Sequence, residues 1–514
     1  MFHSSPPARF AKKIGQSVPT NEFQRSRYVL FSYSFHQLHH YSPYRTSIHI
    51  LNNDVLLNVF YLYLPISFPM DEDIDHIIRD WESHQDRRWY KLAHVCRRWR
   101  SLILASASYL HLCLLCTYRT PVAEMLAHSP PLPLTIDYFD GIHDVTTEDE
   151  EGILLALEHR DRVRSIRLDM PVQSLQMLSN AIDDEFAILQ CLLIKPLKKE
   201  ITSLELPKTF RAPHLRHLFL SNFAFPIGSQ LLTTAQPVNL VSLLLGNILP
   251  SAHFHPNDLL QLLLLIPQLE ALSFYFHYPV PNRDVERQLL HSPMMTHITL
   301  PNLRDFLFGG TSTYLEALLP CMTIPLLTML YIEFFGQLSF PLPHLLQFLS
   351  TIENLRFSQA TLTFGEHVSL SAYPRGVAWM KLLSMEVNWG YLDWQVAFAV
   401  QIINSLTILF SSVEDFTLNT DSSSVLPDWP IEGNRSQWRE LLRPFRNLRR
   451  LQVPRDLIRA VSRSLEVEDG ESPMELLPGL EELSYSGSRN DGDAFTKFIV
   501  SRQNAGHPVA LINN

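Results

Sequence analysis

The pattern that most restricts the fold of this chain is a short apolar signature, apolar-x-x-apolar-x-apolar, which returns along most of its length. It occurs at Val163/Ile166/Leu168, Ile201/Leu204/Leu206, Leu215/Leu218/Leu220 and Leu240/Leu243/Leu245. It continues at Leu269/Leu272/Phe274, Leu303/Phe306/Phe308, Leu327/Leu330/Ile332 and Ile352/Leu355/Phe357. Leu382/Met385/Val387, Val413/Phe416/Leu418, Leu448/Leu451/Val453 and Leu480/Leu483/Tyr485 close the series. Its last three positions have the two-residue period of a strand with one buried face. With 46% of residues apolar, three fixed positions match by chance at about one site in ten. The framing therefore carries more weight than the spacing. Pro213, Pro267, Pro301, Pro325 and Pro478 each stand two residues before the first Leu of a copy. Scattering 35 prolines at random gives about one such placement. Proline ends an incoming helix and biases its predecessor towards extended backbone. A strand is then expected to start on the first Leu. Asn257–Ile266 before Pro267 and Trp438–Leu442 before Pro444 read as helical halves of the repeat.

From Leu215 the copies start 24 to 35 residues apart. The series is similar to a leucine-rich repeat array, at and beyond the long end of the roughly 20–29-residue range. Asn222 and Asn247 come two residues after the strand, not the three of regular arrays. An irregular solenoid of strand-helix repeats is expected over residues 118–514, with loop insertions at Asp421–Gln437 and Glu466–Glu475. A generic α/β domain with a doubly wound sheet is the alternative. Near the end, Asp491 or Asp493 is placed to cap a helix through Phe495, Phe498, Ile499 and Arg502, and Gly506 and Pro508 stop it. That helix is expected to cover the open end of the last repeat. Between the front of the chain and the array, Thr147-x-x-Glu150 reads as a capping box before Ile153–Leu157.

The front differs in kind. In Trp89-Tyr-Lys-Leu-Ala-His-Val-Cys-Arg-Arg-Trp-Arg100 the apolar positions Trp89, Leu92, Val95/Cys96 and Trp99 recur at three and four. They predict one amphipathic helix with Arg97, Arg98 and Arg100 largely on the other face. Asn52, Asn53 or Asp54 can cap an earlier helix carrying Val55, Leu56, Val59 and Phe60. Residues 61–88 separate the two, with Pro65, Pro69 and an acidic cluster. Leu51 through Phe60, then Trp89-x-x-Leu-x-x-Val-Cys-Arg-Arg-Trp-Arg, resemble the F-box, especially that of the large fungal F-box-like groups. The chain departs from the family in having Leu51-Asn52-Asn53-Asp54 where Leu-Pro-x-Glu is usual, and in the long separation. The resemblance spans about Ile48 to Leu115, so residues 47–117 are expected to form the F-box-like domain with an inserted loop at 61–88. Residues 1–46 are expected to be a disordered or extended tail.

The resemblance implies a substrate-receptor subunit of an SCF-type cullin–RING ubiquitin ligase, holding the Skp-type adaptor, and through it the cullin. A short helical module has too little volume to bury all its apolar residues. Leu51, Leu56, Leu57, Val59, Phe60, Leu92, Val95, Cys96 and Trp99 are the candidate adaptor-binding set. The repeat domain would hold a target protein, and the chain itself would catalyse nothing. The alternative is a repeat scaffold or interaction protein with no ligase role.

Composition narrows the remaining classes. Net charge is −10, and residues 1–50 carry six Lys/Arg and one acid, which leaves −15 for the rest. With no long basic run, a nucleic-acid partner is not expected. The most apolar run, Leu259 to Ile266, is too short to span a bilayer, so no membrane partner is expected. Five cysteines, sparse and odd in number, suit a reducing compartment, cytoplasmic or nuclear. Cys113-x-x-Cys116 lacks a second ligand pair and reads as packing, and the His36/His39/His40 cluster reads as solvated. No P-loop, GxGxxG, HExxH or GxSxG occurs, so neither a cofactor nor a catalytic residue is expected.

In each strand the residue between the last two signature positions should face away from the helices. These residues are Arg167, Glu205, Phe219, Leu244, Ser273, Leu307, Tyr331, Arg356, Glu386, Thr417, Gln452 and Ser484. The middle of the series is apolar or aromatic, which makes Phe219, Leu244, Leu307 and Tyr331 the candidate target-binding residues.

Overall fold

The structure, a computed structural model, describes residues 51–64, 88–139, 143–197, 204–224, 239–277, 296–335, 342–352, 357–365, 367–374, 383–388, 392–421, 435–467 and 470–513. The fold is mixed α/β and divides into two compact units. The smaller holds residues 51–64 and 90–106, and the larger holds Trp89 and the described residues from Ala107 onwards. Arg356, the three tail histidines and most of the 61–88 and 421–437 insertions lie outside the described residues.

The smaller unit is built on helix α1 (Asn53–Tyr63). Asn52 caps it by accepting from Val55 N–H at 2.8 Å, and Asp54 sits in the first turn where the helix dipole favours a carboxylate. The second helical stretch is not the continuous helix that the spacing predicts. It breaks into α2 (Arg88–Ala93) and α3 (Arg97–Ala105). Cys96 is the cause: its backbone is extended and its Sγ accepts from Trp99 N–H at 3.5 Å, so it caps a new helix. The break lets α3 turn its own face to α1. Leu56, Phe60, Trp99 and Ile103 are buried, with the Phe60 and Trp99 rings edge-to-face at 4.8 Å. Arg98 ties the entry down, donating to Leu51 O at 2.6 Å and to Asn53 Oδ1 at 2.9 Å.

The larger unit alternates strands with helices: β1 (Leu114–Cys116), α4 (Val122–His128), β2 (Leu134–Tyr138), α5 (Thr147–Leu157), β3 (Val163–Met170), α6 (Val172–Ala181) and β4 (Cys191–Pro196). Next come β5 (Leu204–Glu205), β6 (His217–Ser221), β7 (Phe223–Ala224), β8 (Ser242–Ile248), α7 (Pro256–Leu264), β9 (Ala271–Phe276), β10 (Ile298–Thr299), β11 (Asp305–Gly310) and α8 (Ser312–Leu318). They are followed by β12 (Met322–Thr323), β13 (Met329–Phe334), α9 (Pro343–Thr351), β14 (Phe357–Phe364), β15 (His367–Pro374) and β16 (Leu383–Asn388). The chain closes with α10 (Leu392–Ser405), α11 (Thr407–Phe410), β17 (Asp415–Thr420), α12 (Arg435–Leu442), β18 (Arg450–Val453), α13 (Ile458–Leu465), β19 (Glu482–Tyr485), α14 (Thr496–Asn504) and β20 (Ala510–Asn513). Sixteen of these strands make one sheet in the order β1-β2-β3-β4-β6-β8-β9-β11-β13-β16-β15-β14-β17-β18-β19-β20. Helices of successive strand-helix units pack on one another as a second layer, α4 on α5, α5 on α6, α7 on α8, α8 on α9, α10 on α12 (past the short α11) and α12 on α13.

The prolines act one step earlier than the sequence suggests. The residue before Pro213, Pro267, Pro301 and Pro478 accepts, through its carbonyl, from the N–H of the Leu that opens each copy, at 3.1, 3.2, 3.4 and 3.1 Å. Each proline is thus the second residue of a β-turn, the place its fixed φ suits. The first Leu closes that turn in the core, and the strand begins two residues later. Leu189, Val413 and Leu448 close the same turn without a proline, bonding to Phe186, Phe410 and Phe445 at 3.4, 3.1 and 3.4 Å.

Several elements differ from expectation. The copy at Leu204 contributes only β5, which pairs with β7 in a separate small sheet. The strand in the main sheet is β4, where Leu189/Leu192/Ile194 has the same spacing. The copy placed at Ile352 is five residues early: Ala360 and Leu362 align with Phe416 and Leu418. Strands β14 to β16 also reverse the order. Only residues 365–366 separate β14 from β15, too few for a crossover, so the pair is antiparallel, and β15 pairs antiparallel with β16 as well. The helix at Ile153 is capped one residue earlier than the sequence suggests. Thr146 accepts from Asp149 N–H at 3.2 Å, and Asp149 accepts in return from Thr146 N–H at 3.0 Å. The end of the chain is not the helix: β20 follows it and pairs with β19. Asn222 and Asn247 both adopt left-handed backbone and bond side chain to side chain across successive turns, with His277 Nδ1 at 2.5 Å from Asn247 Oδ1. The shorter offset therefore still yields a ladder.

Candidate binding surfaces

The smaller unit splits the nine expected adaptor contacts into three classes. Leu56, Phe60 and Trp99 form its own core. Leu57, Leu92 and Cys96 are half-buried, while Leu51, Val59 and Val95 are exposed, Val95 at 57%. Three further exposed residues were outside the expected adaptor set: Val55, Leu62 and Tyr63. Together with Val59 they stand at i, i+4, i+7 and i+8, which is one continuous helical stripe. The signal was present in the spacing, but a helix with two apolar faces does not say which one is turned inward. Val95 owes its exposure to the Cys96 break, because it lies in the turn between α2 and α3.

On the sheet, burial alternates residue by residue in β6 and β13. Leu218/Leu220 and Leu330/Ile332 are sealed, and Phe219 and Tyr331 are half-open on the opposite side. Pairing aligns Arg167, Leu193, Phe219, Leu244, Ser273, Leu307 and Tyr331 in one row across seven strands. Two expected members are misplaced: Glu205 lies in the small sheet, and Glu386 stands opposite Glu333, while Ser384 stands opposite Tyr331.

The four candidate target-binding residues do not behave alike. Leu244 is buried, so it is floor. Phe219 packs on the Phe139, Cys191 and Leu193 cluster. That end of the face is closed further by Phe139, whose ring lies 5.5 Å from the Arg167 guanidinium and 5.8 Å from Lys195 Nζ. Leu307 and Tyr331 stay half-open, and Tyr275 joins them. The Tyr275 and Tyr331 ring centroids are 6.2 Å apart, and in the pairing register Gly309 stands opposite Tyr275 on one side and Glu333 on the other. A Cβ at Gly309 would come within 2.2 Å of Tyr275 Cδ1, so the ring occupies the space over that glycine. Tyr275 lies two residues beyond Ser273 in its strand and was reachable by the strand period alone.

The titratable groups are arranged for packing. Burial pushes the Cys116 and Cys191 thiols up to about 12 and raises that of Cys113, so all three stay protonated at neutral pH. Burial lowers His217 and His253 to about 4, with Arg216 adding to the effect at His217. Among the described residues no group of three or more His, Cys, Asp or Glu is placed to hold a metal ion. No described helix is long and apolar enough to cross a membrane.

No protein-family model matches the chain, and no curated protein matches it either.

Proposed function

We propose that this chain is an F-box-type substrate receptor of an SCF-type ubiquitin ligase, with the helical unit holding the Skp-type adaptor and an irregular leucine-rich-repeat-like solenoid holding a target protein. The observation that carries the reading is the apolar stripe Val55, Val59, Leu62 and Tyr63, left open on a helix whose other face already fills its core. Aliphatic and aromatic side chains grouped on one exposed helical face are the usual centre of a protein interface. The open, partly aromatic sheet face supports the second half of the reading. Ubiquitin transfer would then follow from proximity, with the target's lysine brought to a carrier on a partner subunit. Such a receptor works in the cytoplasm or nucleus.

Co-expression with a Skp-type adaptor tests this. The full chain should co-purify with it, and Val59→Asp and Leu62→Asp should abolish co-purification while leaving the thermal midpoint in place. An adaptor that never co-purifies with the folded wild-type chain refutes the proposal and leaves a repeat scaffold.

A further inference from the structure

We infer that the target-holding part of this chain escapes the ubiquitin transfer it directs, because it carries its positive charge as arginine and offers the ubiquitin carrier no acceptor amine. This rests on the ligase reading of the chain. The first observation is where lysine stands. Of 42 basic residues nine are lysine, and between residues 209 and 496 seventeen arginines accompany a single lysine, Lys381. Lysine is among the commonest residues of globular chains, and at even odds between the two cations a split this uneven arises about once in ten thousand. Phe219, Leu244, Leu307 and Tyr331 all fall within residues 209–380, which contain no lysine. The remaining eight lysines flank the stretch, seven at or before Lys208 and one at Lys497.

The second observation is that the fold does not call for arginine at several of these places. A two-pronged grip on a carboxylate needs a guanidinium. That accounts for Arg439, which donates to both Glu471 carboxylate oxygens at 2.8 and 2.9 Å, and for Arg450, which holds Asp415 at 2.5 and 2.6 Å. Arg216 and Arg304 stand one residue ahead of β6 and β11, Arg446 lies in the turn before β18, and Arg463 is on α13. All four are exposed, and their side chains make no hydrogen bond or ion pair among the described residues. As a plain surface charge, lysine would serve equally well there. The two side chains differ in what they offer a ubiquitin thioester. An unprotonated lysine Nζ attacks the thioester carbonyl, an amide bond forms, the C–S bond breaks, and the departing thiolate takes up the proton that the nitrogen sheds. A guanidinium stays protonated and has no lone pair to give. Proximity speeds transfer to any amine near the carrier, the receptor's own included. An arginine surface keeps the charge and withholds the nucleophile.

Self-modification in a reconstituted ligase tests the inference. The full chain, co-expressed with a Skp-type adaptor, is supplied with the cullin–RING core, ubiquitin, its activating and carrier enzymes and ATP. Conjugation sites are read by mass spectrometry of tryptic remnants. The wild-type chain should carry conjugates only on the lysines outside residues 209–380. Arg216→Lys, Arg304→Lys, Arg446→Lys and Arg463→Lys together keep the charge and should raise the conjugated fraction ~5-fold or more, with new remnants at those four positions. Arg216→Gln, Arg304→Gln, Arg446→Gln and Arg463→Gln together should leave it at the wild-type level, which separates a new acceptor from a loosened fold. Thermal midpoints accompany both variants, and a wild-type chain extended by a lysine-rich tag shows that the carrier reaches the chain. Adaptor retained, tag conjugated and the four introduced lysines bare would overturn this inference alone. So would a glutamine variant conjugated as heavily as the lysine variant. An adaptor that is never retained, or a tag that is never conjugated, overturns the ligase reading and this inference with it.

Discussion

Gly309→Ala isolates the feature that keeps the centre of the sheet face open. The added methyl would come within 2.2 Å of Tyr275 Cδ1 and 2.9 Å of Cε1 and Cγ, too close for the ring to stay where it is. Overpacking of this kind typically destabilises by ~1–3 kcal/mol. Against it, alanine in an extended strand has less unfolded-state freedom than glycine, which favours folding by about 0.5–1 kcal/mol. The net expectation is a loss of ~0–2.5 kcal/mol in the wild-type background. In a Tyr275→Ala background the clash is gone, and the same substitution should stabilise by about 0.5–1 kcal/mol. Urea midpoints of the four proteins measure the cycle, whose coupling should be ~1–3 kcal/mol. An effect of equal sign and size in both backgrounds would refute the argument that the Tyr275 ring occupies the space over Gly309.

Phe60→Ala should destabilise the smaller unit by ~3–5 kcal/mol, since it empties a fully buried site and removes the edge contact with Trp99, whereas Val59→Asp one residue away should shift folding by less than about 0.5 kcal/mol; hydrogen exchange across residues 53–63 separates the two. Arg502→Met should cost about 2–4 kcal/mol, because this fully buried guanidinium donates to the carbonyls of Pro473, Pro478 and Leu480 at 3.2–3.3 Å and methionine leaves all three unanswered; the loss should appear as faster proteolysis of the 470–480 loop, and an unchanged cleavage rate would refute it. Acid should weaken the repeat unit through His217 and His253. Both titrate near 4 when folded and near 6.5 when unfolded, so the unfolded chain binds more protons in that window. Their contribution is complete above pH 6.5 and is lost as pH falls towards 4. Allowing for their partial exposure, each supplies ~1–2 kcal/mol, and His253→Gln should flatten the urea midpoint measured from pH 7 to 5.

The copies at Leu215, Leu240, Leu269, Leu303, Leu327, Val413, Leu448 and Leu480 were legible because a strand with one sealed face writes its period into three positions. The copies at Leu204 and Ile352 were misread for the same reason: Leu189/Leu192/Ile194 and Phe357/Ala360/Leu362 satisfy the template as well, and local spacing carries no information about which segment finds a neighbour in the sheet. The candidate sites divided likewise. Val59, Val95, Leu307 and Tyr331 remained accessible, whereas Leu56, Phe60, Trp99 and Leu244 turned out to be core.

What the sequence determined by itself was therefore periodic and local: alternating strands and helices, copies framed by proline, and the capped first helix. Tertiary structure decided what depends on distant partners. The thiol cap at Cys96 broke a helix whose apolar spacing ran unbroken. A two-residue connection reversed the strand order at β14 to β16. The pairing register carried Tyr275, Gly309 and Tyr331, on three strands and 56 residues apart at the extremes, into one partly open patch. Burial and pairing are properties of surfaces brought together, and a linear pattern specifies each surface without specifying its complement.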